Sequence, residues 1–126
     1  MAKIKGSTKL EKRVARWINA RSTDYDDKAQ GVIDDLMQGG CQSGMVGDLI
    51  YYHDTVRFYK LYRSEIDAIL KETLCETGYK SPAELFGDKW DNDDPLARDD
   101  FNQNLLAWFG FEETARKLAS ENGLEV

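Results

Sequence analysis

An acidic stretch, DKWDNDDPLARDD at residues 88 to 100, holds six aspartates around one tryptophan and one proline. So many carboxylates are compatible with metal binding, acid-base catalysis, imitation of a nucleic-acid backbone, or helix capping by solvated side chains. A calcium loop is disfavoured because the stretch lacks the turn glycine and the closing glutamate of a helix-loop-helix site. Carboxylate catalysis is disfavoured because no nucleophile or base lies nearby in sequence. We therefore predict no metal, no cofactor and no catalytic residue.

Helix capping explains part of this acidic stretch. Asp94 before Pro95 is typical of an N-cap followed by a first-position proline, and further aspartates suit the positive end of the next helix dipole. The excess favours imitation of phosphates, since duplex DNA carries about one negative charge per 1.7 Å of axis. The predicted partner-binding residues are the acidic side chains of the stretch and one aromatic anchor: Asp88, Trp90, Asp91, Asp93, Asp94, Asp99 and Asp100.

The charge of the chain is unevenly distributed around its net value of -6. Five aspartates on and before the second predicted helix form a second acidic patch: Asp24, Asp26, Asp27, Asp34 and Asp35. The first 21 residues, in contrast, hold seven basic side chains and only one acidic side chain. Four basic residues of the first helix lie opposite its apolar stripe and are the alternative nucleic-acid-binding residues: Lys9, Lys12, Arg13 and Arg16.

Three other features have structural interpretations. His53 beside Asp54 fits a helix boundary better than a proton-transfer pair. The glycine-rich segment at residues 39 to 47 lacks the lysine of a phosphate-binding loop and has no strand before it. Cys41 and Cys75 form no CxxC motif, which predicts free thiols in a reducing compartment. With no apolar run of about 18 residues and no leader-like start, we expect a cytoplasmic protein that does not contact membranes.

Apolar residues at a helical period, with no convincing alternating run, predict an all-α fold. We expect one compact domain over residues 1–126, a bundle of about six to seven helices, some of them short. Their starts are predicted at Ser7 or Thr8, Thr23 or Asp24, Ser43, Asp54, Ser64 and Ser81, with ends near Arg21, Gly39, Gly78, Gly87 and Gly123. The fourth and fifth helices are alternatively one bent helix.

The apolar stripes predict the core residues Trp17, Leu36, Ile50, Phe58, Ile69, Leu105, Trp108 and Phe109. Gly110 is expected either to weaken the last helix or to let another helix pack closely against it.

Two segments carry a resemblance: CQSGMVGDLIYYHDTVRFY from Cys41, and SPAELFGDKWDNDDPLARDDFNQNLLAWFGFEETARKLA from Ser81. Together they resemble an uncharacterised domain family of small proteins encoded by bacteriophages and mobile elements of gut bacteria. The resemblance extends roughly from Val32 to Ala119 and leaves the basic first helix, residues 1–21, outside. It implies a small protein that is cytosolic in the host and acts on a host component, without implying a chemistry.

These observations favour a non-enzymatic protein that binds a host protein with a basic surface and inhibits or diverts it. A defence nuclease of the CRISPR or restriction type is the best-motivated target, because a carboxylate-rich surface can occupy a basic nucleic-acid channel. Two alternatives stay open. One is a small nucleic-acid-associated regulatory protein that uses the basic first helix, and the other is a structural or assembly protein.

Overall fold

The computed structural model describes residues 3–39, 52–90 and 102–126. These three ranges are helical and contain no strand, so the all-α prediction is confirmed. The helices are α1 (Lys9–Arg21), α2 (Ala29–Gly39), α3 (Tyr52–Leu61), α4 (Arg63–Thr77), α5 (Pro82–Phe86) and α6 (Gln103–Glu121), with 3-10 turns at Ser22–Tyr25 and Gly87–Lys89. The predicted short helix from Ser43 lies outside the described residues.

The chain forms two compact units. Unit 1 comprises residues 1–50 and 111–126, and unit 2 comprises residues 51–110. The boundary between them falls within α6, so this helix contributes to both units. A single domain over residues 1–126 stays a prediction.

Local capping chemistry fixes several helix ends as predicted. The Thr8 hydroxyl accepts a hydrogen bond from Glu11 N at 3.1 Å and caps α1. The Ser81 hydroxyl caps α5 in the same way, with proline at the first helical position. Gly78 ends α4 in the left-handed conformation, at φ 79°. This conformation costs a glycine little because it has no Cβ.

Three predicted helix starts are wrong. After the 3-10 turn, Asp26 and Asp27 both adopt positive φ, at 56° and 59°, so α2 begins at Ala29 and not at Thr23 or Asp24. Aspartate tolerates this left-handed conformation better than most residues. Helix α3 begins at Tyr52, which places Asp54 in its first turn instead of at its cap.

Helix α4 begins at Arg63 instead of Ser64, and only Tyr62 separates it from α3. Tyr62 N donates to Phe58 O, and Ile66 N donates to Tyr62 O, so helical hydrogen bonding continues across the junction. The two helices therefore resemble the single bent helix that the sequence offered as an alternative.

The core of unit 1 is formed by α1, α2 and the second half of α6. Trp17 and Leu36 are buried as predicted. The indole of Trp17 meets the ring of Phe111 edge-on, with centroids 5.0 Å apart. Other fully buried side chains are Leu10, Val14, Ile18, Val32, Ile33 and Leu118. Each such side chain contributes roughly 1.5–3 kcal/mol by leaving water.

In unit 2, Phe58 is buried as predicted, and Ile66 is fully buried. A Cβ atom placed on Gly110 would lie 2.6 Å from Ile66 Cγ1, so the glycine permits close packing against α4. This agrees with the second of the two alternatives predicted for Gly110. The predicted core residue Ile50 lies outside the described residues.

Four predicted core residues are only half-buried: Ile69, Leu105, Trp108 and Phe109. In α6 the buried positions are Leu106, Ala107 and Phe111 instead. Apolar residues surround this part of the helix, so the period alone did not define its inner face. The small residues Ala107 and Gly110 lie on that inner face, where they allow close packing.

Candidate functional site

A short arm, residues 3–6, precedes α1 and is anchored against it. Ile4 is buried, and its backbone forms two hydrogen bonds with the Asn19 side chain: Ile4 N donates to Oδ1, and Nδ2 donates to Ile4 O, both at 2.9 Å. Two bonds to one amide fix the orientation of the arm as well as its position. The arm therefore presents its side chains in a defined place beside α1.

A buried carboxylate holds the turn between the arm and α1. Glu11 Oε1 accepts hydrogen bonds from Ser7 N at 3.1 Å and from the Ser7 hydroxyl at 3.0 Å. Gly6 packs so tightly that an added Cβ would lie 2.5 Å from the backbone carbon of Glu11. On its other oxygen, Glu11 pairs with Lys117 Nζ at 3.0 Å. One side chain thus connects the arm, α1 and α6 within unit 1.

The pKa of Glu11 is lowered overall. Burial is the largest single influence and raises this pKa, but the hydrogen bonds from Ser7 and the hydrogen bond and charge of Lys117 together outweigh it. Glu11 is therefore ionised at neutral pH, and its negative charge is matched by the partners that it orders.

An open groove of about 570 Å³ lies between the arm and α1. Its lining residues are Lys3, Ile4, Lys5, Gly6, Lys12, Ala15, Arg16, Asn19 and Ala20. All four charged residues of this lining are cations, and their side chains are exposed. Within residues 3–39, 52–90 and 102–126, no carboxylate forms an ion pair with any of these four groups. We call this site the basic groove; such a concentration of unneutralised positive charge attracts anions.

The basic groove contains two of the four residues predicted for nucleic-acid binding, Lys12 and Arg16. Lys9 is exposed on the first turn of α1 and lies outside the lining, as does the half-buried Arg13. Sequence reasoning did not place Lys3 and Lys5 in the site. The signal that could have done so is the apolar Ile4 between the two lysines, since a buried residue there anchors both of them to the fold.

The described part of the acidic stretch is its beginning. Asp88 is exposed in the 3-10 turn, and the half-buried indole of Trp90 stacks on Phe86 with centroids 5.4 Å apart. Phe86 in turn meets Phe109 edge-on at 5.6 Å. The structure therefore gives Trp90 a packing role inside unit 2. The other predicted partner-binding residues, Asp91, Asp93, Asp94, Asp99 and Asp100, lie outside the described residues.

The second acidic patch is exposed in unit 1, at Asp24, Asp26, Asp27, Asp34 and Asp35. Tyr25 OH donates a 2.5 Å hydrogen bond to Asp35, and this bond is the main cause of the raised pKa of Tyr25. A Cβ on Gly31 would lie 2.8 Å from the Tyr25 ring, so the ring packs directly on α2. The patch is therefore attached to an ordered part of unit 1.

A second groove, of about 320 Å³, runs along α4. Its lining is chemically mixed: Asp67, Leu70, Lys71, Leu74, Cys75 and Tyr79. Cys75 is a free, exposed thiol, as predicted, whereas Cys41 lies outside the described residues. Nearby, Tyr59 donates a 2.7 Å hydrogen bond to Asp67; burial first, and then this bond, raise the pKa of Tyr59 to about 12.

No group of three or more histidine, cysteine, aspartate or glutamate residues in the described part of the chain could hold a metal ion. None of the helices described is both long enough and apolar enough to cross a bilayer. His53 lies in the first turn of α3, at the helix boundary where the sequence placed it.

No curated protein and no solved structure matches this chain. A family model does match: that of a domain of unknown function, DUF7222, over residues 7–125. This range corrects the predicted extent of the resemblance, because it begins before α1 and so includes the basic helix that was placed outside the family. Since the match covers nearly the whole sequence, the chain belongs to the DUF7222 family.

Proposed function

We propose that this protein is a non-enzymatic nucleic-acid-binding module that holds backbone phosphates in the basic groove. The observation that carries the proposal is the convergence of Lys3, Lys5, Lys12 and Arg16 on one concave surface whose charged lining is entirely cationic. A protein that binds nucleic acid without a catalytic step would act as a regulatory or accessory factor.

The types and spacing of the cations suit phosphates. Lys12 and Arg16 are four residues apart on α1, which places them about 6 Å apart along the helix axis. The guanidinium of Arg16 can donate two parallel hydrogen bonds to one phosphate, while a lysine acts as a compact point charge. An anion in the groove also relieves the mutual repulsion of four neighbouring cations.

A lipid surface is a less suitable partner for the same helix. Amphipathic helices that bind membranes insert an apolar face among the acyl chains. In α1 the apolar residues Leu10, Val14 and Ile18 are already buried in the core of unit 1. Only the polar face is available, and this favours a soluble polyanion over a bilayer.

The acidic remainder of the chain limits how nucleic acid can approach. The net charge is -6 although the first 21 residues are strongly basic, so most of the surface repels a polyanion. Binding is consequently restricted to the face that carries the basic groove, and it weakens steeply as salt rises.

Fluorescence anisotropy with labelled nucleic acid tests the proposal. The Lys12→Ala/Arg16→Ala variant should weaken binding and reduce the slope of log K against log salt by roughly 1.8 on duplex DNA, the share of two phosphate contacts. The matched control is Lys60→Ala/Lys71→Ala, which removes the same charge from exposed residues of unit 2. Equal affinities of the two variants would contradict the proposal.

We also propose a second candidate function, in which a phage or mobile element encodes the protein and the acidic stretch engages a host protein in the bacterial cytoplasm. The supporting observation is that Asp88 is exposed two residues before Trp90, whose indole is only half-buried. The target would be a defence nuclease whose basic channel the aspartates occupy. Pull-down from host lysate at low and moderate salt, with mass spectrometry of the captured proteins, tests this proposal; recovery of no nucleic-acid-processing enzyme at either salt would contradict it.

A further inference from the structure

We infer that the ligand of the basic groove is the sugar-phosphate backbone of double-stranded nucleic acid, bound without regard to base sequence. This inference rests on the proposed nucleic-acid-binding function and specifies its ligand. The supporting observation is that the polar and aromatic side chains nearest the groove already have partners within the protein, so they are not available to contact bases.

The one side-chain amide in the groove lining is occupied. Asparagine reads adenine by offering one donor and one acceptor together to the base edge. In Asn19 that pair of atoms is bonded to the backbone of Ile4, with both distances at 2.9 Å. Reading a base through Asn19 would therefore release the arm that carries Lys3 and Lys5.

The aromatic side chain of α1 is also engaged elsewhere. Proteins that bind single strands commonly stack exposed bases on aromatic rings. Trp17 is buried and packs edge-on against Phe111 in the core of unit 1. The uncharged residues that do line the groove, apart from Asn19, are aliphatic or glycine: Ile4, Gly6, Ala15 and Ala20. They suit contact with sugars rather than stacking with bases.

The two walls of the groove present cations at similar separations. Lys12 and Arg16 lie about 6 Å apart along α1, and the two residues from Lys3 to Lys5 span at most about 7 Å of chain. Neighbouring phosphates of one DNA strand are farther apart than their axial rise of about 3.4 Å, because the backbone winds around the axis, so each pair of cations is spaced to meet about two neighbouring phosphates. A regular, stiff backbone satisfies two such pairs together more readily than a flexible single strand does.

The experiment compares three labelled ligands by anisotropy, using the full chain: a short duplex, one of its single strands, and a duplex of scrambled sequence. We expect about tenfold tighter binding to duplex than to single strand, and affinities for the two duplexes within about threefold of each other. Four phosphate contacts predict a log-log salt slope of roughly -3.6 on the duplex. The Lys3→Ala/Lys5→Ala variant should lower the steepness of that slope by roughly 1.8, while Lys60→Ala/Lys71→Ala leaves it unchanged.

The outcomes separate this inference from the function on which it rests. Single-strand binding equal to or tighter than duplex binding overturns the inference and leaves the proposed function standing. A preference of more than about tenfold for one duplex sequence overturns the backbone-only part of it. Binding to none of the three ligands at low salt overturns both proposals together. A salt slope that is unchanged in Lys3→Ala/Lys5→Ala, with native circular dichroism, would show that the arm is not part of the site.

Discussion

Glu11 and Lys117 form an ion pair 3.0 Å long although they are 106 positions apart in the sequence. The Glu11 carboxylate is nearly buried, at 9% side-chain exposure, whereas Lys117 is 60% exposed. The energetic asymmetry follows from this difference. If Glu11 is lost, water can hydrate the exposed Lys117 ammonium. The Ser7 N–H and hydroxyl, in contrast, lose the anionic acceptor that holds the arm in place.

Glu11→Gln should lower the free energy of unfolding by about 1–3 kcal/mol at pH 7, because it removes the charged acceptor of the hydrogen bonds from Ser7 and Lys117. The pKa of Glu11 is lowered in the folded protein. Its contribution to stability is therefore fully present above the pKa of a glutamate in the unfolded chain, about 4.3, and is lost as pH falls through the lower pKa of the folded state. Urea denaturation at pH 7 and pH 3 measures both effects. The difference between wild type and Glu11→Gln should shrink at pH 3; an equal difference at both values would show that the charge of Glu11 contributes nothing.

Asn19→Ala should release the arm without unfolding α1. The change removes both hydrogen bonds to Ile4 and should increase amide hydrogen exchange at Ile4, with a loss of roughly 1–3 kcal/mol in local stability. The carboxyl-terminal segment contains a matched control, because Gln30 bonds both backbone groups of Glu125, at 2.8 and 2.9 Å. Exchange at Glu125 should be unchanged, and unchanged exchange at Ile4 would show that the arm is held by other contacts.

Gly110→Ala should destabilise the protein although alanine favours helix. The propensity gain is about 1 kcal/mol, while overpacking a close contact typically costs about 1–3 kcal/mol. The new methyl group would meet Ile66 Cγ1 at 2.6 Å and Cδ1 at 2.9 Å. In a double-mutant cycle, Ile66→Ala should remove the penalty, so that Gly110→Ala becomes neutral or stabilising in that background. Additive effects of the two changes would place the conflict elsewhere.

Phe111→Ala should destabilise the fold more than Trp108→Ala does, although the sequence predicted Trp108 as a core residue. Phe111 is fully buried, and its truncation should cost about 3–5 kcal/mol. Trp108 is half-buried, so its truncation should cost clearly less. Thermal unfolding of the two variants measures this difference, and a larger loss for Trp108→Ala would restore the original assignment of the α6 core face.

The helix ends and the core face of α6 show which features the sequence could predict. Thr8, Ser81 and Gly78 act on their own backbone neighbourhood, so residue type and spacing were enough to predict them. The inner face of α6 depends on which neighbours it meets, and apolar residues on several sides left the choice to tertiary packing. The small residues Ala107 and Gly110 determine which face of α6 can pack closely against its neighbours. A hydrophobic period gives little weight to small residues and so does not identify this face.

The basic groove was predicted only in part, for a related reason. Lys12 and Arg16 follow from the polar face of an amphipathic helix. The arm joins them through an amide-to-backbone pairing between Asn19 and Ile4, 15 residues apart. A polar side chain that bonds a distant backbone leaves no periodic pattern, so such a contact becomes visible only in the folded chain.

The two proposed binding surfaces make opposite demands on charge, and paired variants can distinguish them. If the acidic stretch imitates phosphates, Asp91→Asn/Asp93→Asn/Asp94→Asn should weaken binding to a captured basic protein, chiefly through slower association, with a smaller salt dependence. Its affinity for duplex nucleic acid should stay equal or rise, because the change removes negative charge. Lys12→Ala/Arg16→Ala should do the reverse, weakening nucleic-acid binding while leaving the protein partner bound.

Helix content should be unchanged in both variants, since asparagine also serves at an N-cap and the two basic side chains are exposed. Surface plasmon resonance with the captured protein and anisotropy with duplex DNA give the four comparisons. If the aspartates only cap and solvate a helix start, the triple variant binds the protein partner as tightly as wild type at low salt. That result would remove the acidic stretch from the list of binding surfaces and leave the basic groove as the functional site of this family member.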